Sequence, residues 1–294
     1  MMSNEQRHTG EMCSLGKTER HENSENTPEA DAALRRSRRA GLRLLIAEDH
    51  AMNQTVVVAL LRHLGYANVV VASHGRAAID ALTQSDFDAV LMDCQMPVMD
   101  GYEATRVIRD PASGVRNHSV AVIAMTAHAL AGDRERCLGS GMNDYIAKPI
   151  QRDVLEHVLD RWTGSAPSKA PSAPEPAADP VNATFDRAGL IQRLMNNVLL
   201  AKRVAEVFAR DTPNQLAALA RALQDADADS VRLTAHSLKG SAATIGGVTV
   251  GQEAAAIEKL SAMGNLPAAE ALFPLLASHT ERLMEEIEEF CAPI

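Results

Sequence analysis

The chain has 294 residues, room for two domains that each bury a core. With 46% hydrophobic and 23% charged residues and a net charge of −9, it reads as soluble protein and argues against broad nucleic-acid binding, while 3% aromatics leave little for stacking on bases. No apolar run approaches the ~20 residues of a transmembrane helix, so no membrane insertion is expected. Glu48 and Asp49 interrupt the apolar run after Arg35-Arg36-Ser37-Arg38-Arg39 too early for an export signal, and the scattered Cys13, Cys94, Cys137 and Cys291 read as free thiols, so a cytoplasmic setting is expected.

Residues 1–40 are polar, without apolar periodicity, and are expected to be disordered. From there to residue 162, short apolar runs alternate with helical patterns. The runs are Leu44–Ala47, Val69–Ala72, Ala89–Met92, Ala121–Met125 and Tyr145–Ala147. Five strands alternating with helices predict a doubly wound α/β domain over 41–162 with a parallel sheet covered on both faces. Residues 163–183 carry Pro167, Pro171, Pro174, Pro176 and Pro180 among Ala and Ser, an extended linker. Residues 184–294 are rich in Ala and Leu with helical period, and predict an all-α antiparallel bundle. Its helices are expected over 187–195, 198–210, 213–225, 228–245, 248–263, 267–273 and 275–290.

In open α/β sheets, ligands sit beyond the carboxyl ends of the strands. Here the first strand ends in Glu48-Asp49, the third in Asp93, the fourth in Thr126 and the fifth in Lys148-Pro149. Singly, each has a bland role: Asp49 or Thr126 as a helix cap, Asp93 in a turn, Lys148 in solvent. Jointly, three carboxylates on one edge repel one another unless a cation holds them, and an open oxygen-rich site suits Mg²⁺. A lysine and a hydroxyl on the same edge supply charge neutralisation and orientation for a phosphoryl group.

These residues also resemble a family. Residues 43–162 are similar to response-regulator receiver domains through Glu48-Asp49, the run from Met92 to Gly101, Thr126-Ala127 and Lys148-Pro149. Met52-Asn53-Gln54 looks like the receivers attached to hybrid sensor kinases. The resemblance implies a flavodoxin-like fold of five parallel strands, with Asp93 as phosphoacceptor. Glu48, Asp49, Asp93 and the backbone carbonyl of Gln95 would hold Mg²⁺. Lys148 would pair with phosphoryl oxygens, a cis bond would precede Pro149, and Thr126 and Tyr145 would form a switch. Gly101 fits a turn needing positive φ after Asp100.

On a helix at 100° per residue, Val231, Leu238 and Ile245 form a buried seam. His236, Gly240, Ala243 and Gly247 then fall on the opposite face, so the histidine is expected in solvent above a lane of small residues. Lys239, beside it, is placed to steady an anion. An ordinary exposed histidine on a packing helix fits the pattern equally well. The stretch Ala235–Ala243, AHSLKGSAA, resembles the histidine-phosphotransfer motif, and Phe185-Asp186 and Ile257-Glu258 also look familiar. The resemblance implies a four-helix bundle with His236 as phosphoacceptor and Lys239 and Gly240 shaping a docking site. Gly246-Gly247 departs from the pattern and is expected to loosen the helix end.

No ATP-binding module is found in the sequence. The resulting expectation is a phosphorelay intermediate, itself no kinase, charged by an upstream sensor histidine kinase and discharging to a downstream response regulator. The alternatives are the C-terminal part of a hybrid sensor kinase, or an adaptor gated by phosphorylation of Asp93 without onward transfer.

Overall fold

The computed structural model describes residues 28–126, 131–164 and 184–292. The expected linker therefore lies almost wholly outside the described residues, as do Ala127 and positions 1–27 of the expected disordered tail. The rest of that tail differs from expectation: α1 (Pro28–Gly41) is a helix. Its reason is a tertiary anchor. The buried Arg39 guanidinium donates to both carboxylate oxygens of Asp160 at 2.8 and 2.6 Å, to Glu156 at 2.8 Å and to the Leu64 carbonyl at 3.1 Å. Local polar composition gives no sign of such a partner.

Beyond α1 the chain alternates β1 (Arg43–Ala47), α2 (Ala51–His63), β2 (Asn68–Ala72), α3 (Gly75–Gln84) and β3 (Ala89–Asp93). It continues with α4 (Gly101–Arg109), β4 (Ala121–Thr126), α5 (Ala131–Gly139), β5 (Asp144–Ala147) and α6 (Arg152–Trp162). The strands form one parallel sheet in the order β2-β1-β3-β4-β5. The central strands β3 and β4 are buried along their whole length, as near-continuous apolar runs between two helical layers should be. The strand order reverses at β1, which opens a crevice at the carboxyl ends of β1 and β3.

The second unit comprises the short α7 (Arg187–Arg193) and four longer helices, α8 (Val198–Gln224), α9 (Ala228–Ile245), α10 (Val248–Ala262) and α11 (Leu266–Cys291). Each long helix packs on the next and α11 closes back on α8, a four-helix bundle. The helix breaks expected near Pro213 and Pro274 do not occur; both prolines sit inside α8 and α11. An interior proline costs about 3 kcal/mol. The buried stripe continues across each: Phe208 and Thr212 before Pro213, Leu219 and Ala222 after it, then Ala269 before Pro274, Leu276 and Leu283 after it. At roughly 1.5–3 kcal/mol per fully buried large side chain, packing outweighs the local penalty.

The double glycine tightens the end of α9 rather than loosening it. Gly246 takes the left-handed C-cap conformation (φ 90°), and its N–H returns to the Ala242 carbonyl. A Cβ on Gly247 would lie 2.6 Å from a Leu283 methyl, so this residue faces the bundle and does not belong to the small-residue lane.

Candidate functional site

Strand register builds the first half of the site. Ala47 pairs with Met92, so Glu48, just past the end of β1, stands level with Asp93, the last residue of β3. Asp93 pairs with Met125, which puts Thr126 one step beyond, and Thr126 pairs with Ala147, which carries Lys148 to the same edge. Carboxylate oxygens of Glu48, Asp49 and Asp93 lie within 4.8 Å of one another. Lys148 Nζ bridges Glu48 Oε2 and Asp93 Oδ2, each at 2.7 Å. The peptide between Lys148 and Pro149 is cis, as the resemblance implied.

Burial drives the electrostatics. Asp93 is 2% exposed, and burial raises its carboxyl pKa well above the usual range, with the charges of Glu48 and Asp49 adding to the rise and Lys148 opposing it. Asp49 is pushed up to about 6 by burial and by Glu48. Burial works against the charge of Lys148, yet Asp93 and Glu48 hold its pKa above the ordinary lysine value. Two carboxyls raised beside a third are the signature of a site short of positive charge. The donor set, all carboxylate oxygen at strand ends, fits a hard divalent cation. Gln95 donates its backbone N–H to Asp93 Oδ1 at 3.3 Å, which puts that residue at the site.

The loop after Asp93 is strained. Val98, 80% exposed, has φ 69°, and Met99 N–H bonds the Pro97 carbonyl at 2.7 Å across it, a tight γ-turn. Gly101 is needed for a reason other than the one expected. Among glycines of positive φ it does not figure; it opens α4, where a Cβ would overlap the carbonyl oxygen of Asp93. Tyr145 is partly buried against the apolar layer on one face of the sheet, and Thr126 is buried.

The second half of the site is α9. His236 was expected in solvent; it is 7% exposed. Two neighbours cover it: Glu258 of α10 and the edge of the sheet domain. Glu258 Oε1 lies 2.7 Å from His236 Nδ1, and Lys239 Nζ donates to Glu258 Oε2 at 2.6 Å. A carboxylate only accepts, so Nδ1 carries the proton and Nε2 the lone pair. Burial lowers the histidine pKa despite the pull of Glu258, which keeps the ring neutral. Glu258 itself is held down to about 2: burial opposes its charge, but the hydrogen bonds and charges of His236 and Lys239 prevail. Sequence reading noted Glu258 for its resemblance only and missed its contact with His236, because the pair spans 22 positions and two helices.

The two halves meet. Glu48, Asp49, Asn53, Asp93 and Lys148 line the same cavity as His236, Ser237 and Gly240, with room of about 10 Å³. Asn53 stands between them, its Nδ2 donating to Glu48 at 2.8 Å and its Oδ1 accepting from Thr244 of α9 at 3.2 Å. A Cβ on Gly240 would lie 3.8 Å from Asn53 Nδ2, so the small-residue lane faces α2.

Residues 44–160 match the family model described as response regulator receiver domain, and residues 203–290 match the Hpt domain model. The chain is a receiver domain followed by an Hpt domain. It is similar to sensor protein GacS of Pseudomonas syringae, 34% identical over 253 residues, covering 84% of this chain and 26% of the relative. It is also similar to virulence sensor protein BvgS of Bordetella parapertussis, 30% identical over 254 residues, with 84% and 20% covered. The receiver–Hpt chain thus spans about a quarter or less of these relatives. Among solved structures, the magnesium-bound receiver domain of sensor histidine kinase PA1611 from Pseudomonas aeruginosa is 50% identical, covering 43% of this chain and all (100%) of that one, with a TM-score of 0.39. Among the described residues, no helix is long and apolar enough to cross a membrane.

Proposed function

We propose that the receiver–Hpt chain is a phosphorelay intermediate in which Asp93 and His236 are the two phosphoacceptors. One observation carries the reading: a lysine-bridged, cation-seeking aspartate and a neutral, oriented histidine line one cavity. Asp93 attacks the phosphorus of a donor phosphohistidine, forming an acyl phosphate as the P–N bond breaks and its electrons return to the donor imidazole. Lys148 shifts its charge from the free carboxylates to the phosphoryl oxygens, and the Thr126 hydroxyl orients them. Glu48, Asp49 and Asp93, with the Gln95 carbonyl, would hold Mg²⁺, which when bound offsets the charge of the carboxylates and the incoming phosphate. Tyr145 repacks with Thr126 to report the charged state. On the Hpt side, Lys239 keeps Glu258 in place and Gly240 clears the approach to His236.

The upstream donor is a sensor histidine kinase and the downstream acceptor a response regulator, in keeping with the sensor proteins this chain resembles in part. The test is acetyl-phosphate labelling with Mg²⁺ of wild type, Asp93→Asn and His236→Gln. Asp93→Asn should abolish all label. His236→Gln should keep base-labile acyl phosphate and lose acid-labile phosphohistidine. Label that persists in Asp93→Asn would refute the assignment of Asp93, and phosphohistidine that persists in His236→Gln would refute that of His236.

A further inference from the structure

We propose that Cys94 and Cys137 form an oxidation site, at which a hydroperoxide joins the two touching thiols into a disulfide and pins α5 to the strand end that carries Asp93. Neither thiol has a part in the phosphoryl chemistry proposed above.

The pair is assembled by the fold. Cys94 follows Asp93 directly; its N–H bonds the Met125 carbonyl at 3.2 Å and its carbonyl accepts from Gly101 N–H at 3.2 Å, so the main chain there is held on both sides. Side chains alternate along the strand, and Val90, Met92 and Cys94 enter one apolar layer while Asp93 turns to the acidic edge. Cys137 enters the same layer from α5. The two sulfurs lie 3.8 Å apart, with Cys94 2% exposed and Cys137 wholly buried. A disulfide holds its sulfurs ~2.05 Å apart, so closure takes up about 1.8 Å, within reach of side-chain rotation and a small inward shift of α5.

α5 is the element that can give. Between Arg134 and Gly139, Cys137 is the one buried residue. Leu138 stands 39% exposed, and a Cβ on Gly139 would meet nothing within 4 Å. The Arg136 guanidinium clasps the Tyr102 ring from outside, 4.2 Å from its centroid. Few buried contacts make local opening cheap. Lifting α5 uncovers Cys137 and leaves Cys94 on the fixed strand end.

In the opened state the Cys137 sulfur attacks a peroxide oxygen. An S–O bond forms, the O–O bond breaks, and the departing oxygen takes the thiol proton and leaves as water or an alcohol. As α5 reseats, the Cys94 sulfur attacks the sulfenic sulfur; the S–O bond breaks, and hydroxide leaves as water with the Cys94 proton. The two thiols together lose two electrons to the peroxide. In a reducing compartment such a bond is transient, which suits sensing rather than structure. The cross-link joins positions 43 apart, tying the helix that follows the Thr126 strand to the residue that follows Asp93. A pinned α5 resists the repacking of Thr126 and Tyr145. That effect on Asp93 rests on the function proposed above; the cross-link does not.

The test treats the full chain with hydrogen peroxide, blocks the remaining thiols and maps disulfides by mass spectrometry. A Cys94–Cys137 cross-link that dithiothreitol reverses is expected. Both thiols still free, sulfinic acid without a cross-link, or a disulfide drawn instead to Cys13 or Cys291 would overturn the site. Hydrogen exchange reads the pinning: α5 amides should exchange roughly tenfold or more slower in the oxidised chain, and equal rates would overturn it. With acetyl phosphate and Mg²⁺, oxidation should slow Asp93 labelling about threefold or more, with recovery on dithiothreitol, while Cys137→Ser should label alike with and without peroxide. Labelling unchanged by oxidation, or slowed equally in Cys137→Ser, would overturn the link between disulfide and relay. Should that variant not fold, failure to recover on dithiothreitol overturns the same link. Absence of label in the reduced wild type would refute the assignment of Asp93, with the cross-link and exchange results still deciding the oxidation site.

Discussion

Replacing Glu258 by glutamine tests how the histidine is prepared. The carboxylate accepts the Nδ1 proton at 2.7 Å and is anchored by Lys239 at 2.6 Å. Attack by Nε2 leaves a positive charge on the ring, and Glu258, held down to about 2, stays ionised to meet it. Glutamine keeps the shape and an accepting oxygen but removes the charge. A hydrogen bond to a charged group contributes about 1.5–3 kcal/mol. At about 1.4 kcal/mol per factor of ten, transfer from Asp93 to His236 should slow by roughly 10- to 150-fold. Asp93 labelling, on the other side of the cavity, should change little. Rapid-quench separation of acid-labile and base-labile label gives both rates, and ¹⁵N shifts of His236 report the tautomer. Transfer within about twofold of wild type, with the Nδ1–H tautomer retained, would refute the reasoning, since charge assistance would then contribute less than ~0.5 kcal/mol.

Asp160→Ala removes the buried partner of Arg39 and leaves Glu156 as its one remaining carboxylate, so it should cost about 3 kcal/mol of receiver stability in urea melts, with α1 loosened. Val98→Asn should relieve the left-handed strain at φ 69° and raise stability by about 1 kcal/mol by thermal melt, since asparagine tolerates that conformation. Acid should weaken the fold through His236 and Glu258 in different windows. The folded pKa of His236 is lowered by burial, so the unfolded chain binds the extra proton first and stability falls as pH drops through the ordinary value of 6.5. The folded pKa of Glu258 is lowered to about 2, so its contribution is complete above 4.5 and is lost as pH falls towards 2. Lys239 and Lys148 both disfavour the protonated histidine. Urea melts of His236→Gln against wild type between pH about 7 and about 5 measure the first effect; equal loss in both would rule it out.

The amino-acid sequence alone determined the receiver fold and the place of its acidic site. Strand alternation sets the sheet, register is a consequence of βαβ winding, and Glu48, Asp93 and Lys148 converge because each stands at the carboxyl end of a strand. It likewise placed α9 over 228–245; the Asp227 cap before it and the left-handed Gly246 that closes it came from the structure. What needed tertiary structure was whatever depends on residues far apart in the chain. Pro213 and Pro274 mark breaks by local propensity, and only burial on both sides carries the helices through. Polar residues 28–40 look unstructured until Arg39 meets Asp160 on α6. Helical periodicity puts His236 on the face away from its own bundle, which a single helix can only take as solvent. That face is buried because Glu258 and a second domain cover it, and no local pattern encodes the docking of one folded surface on another.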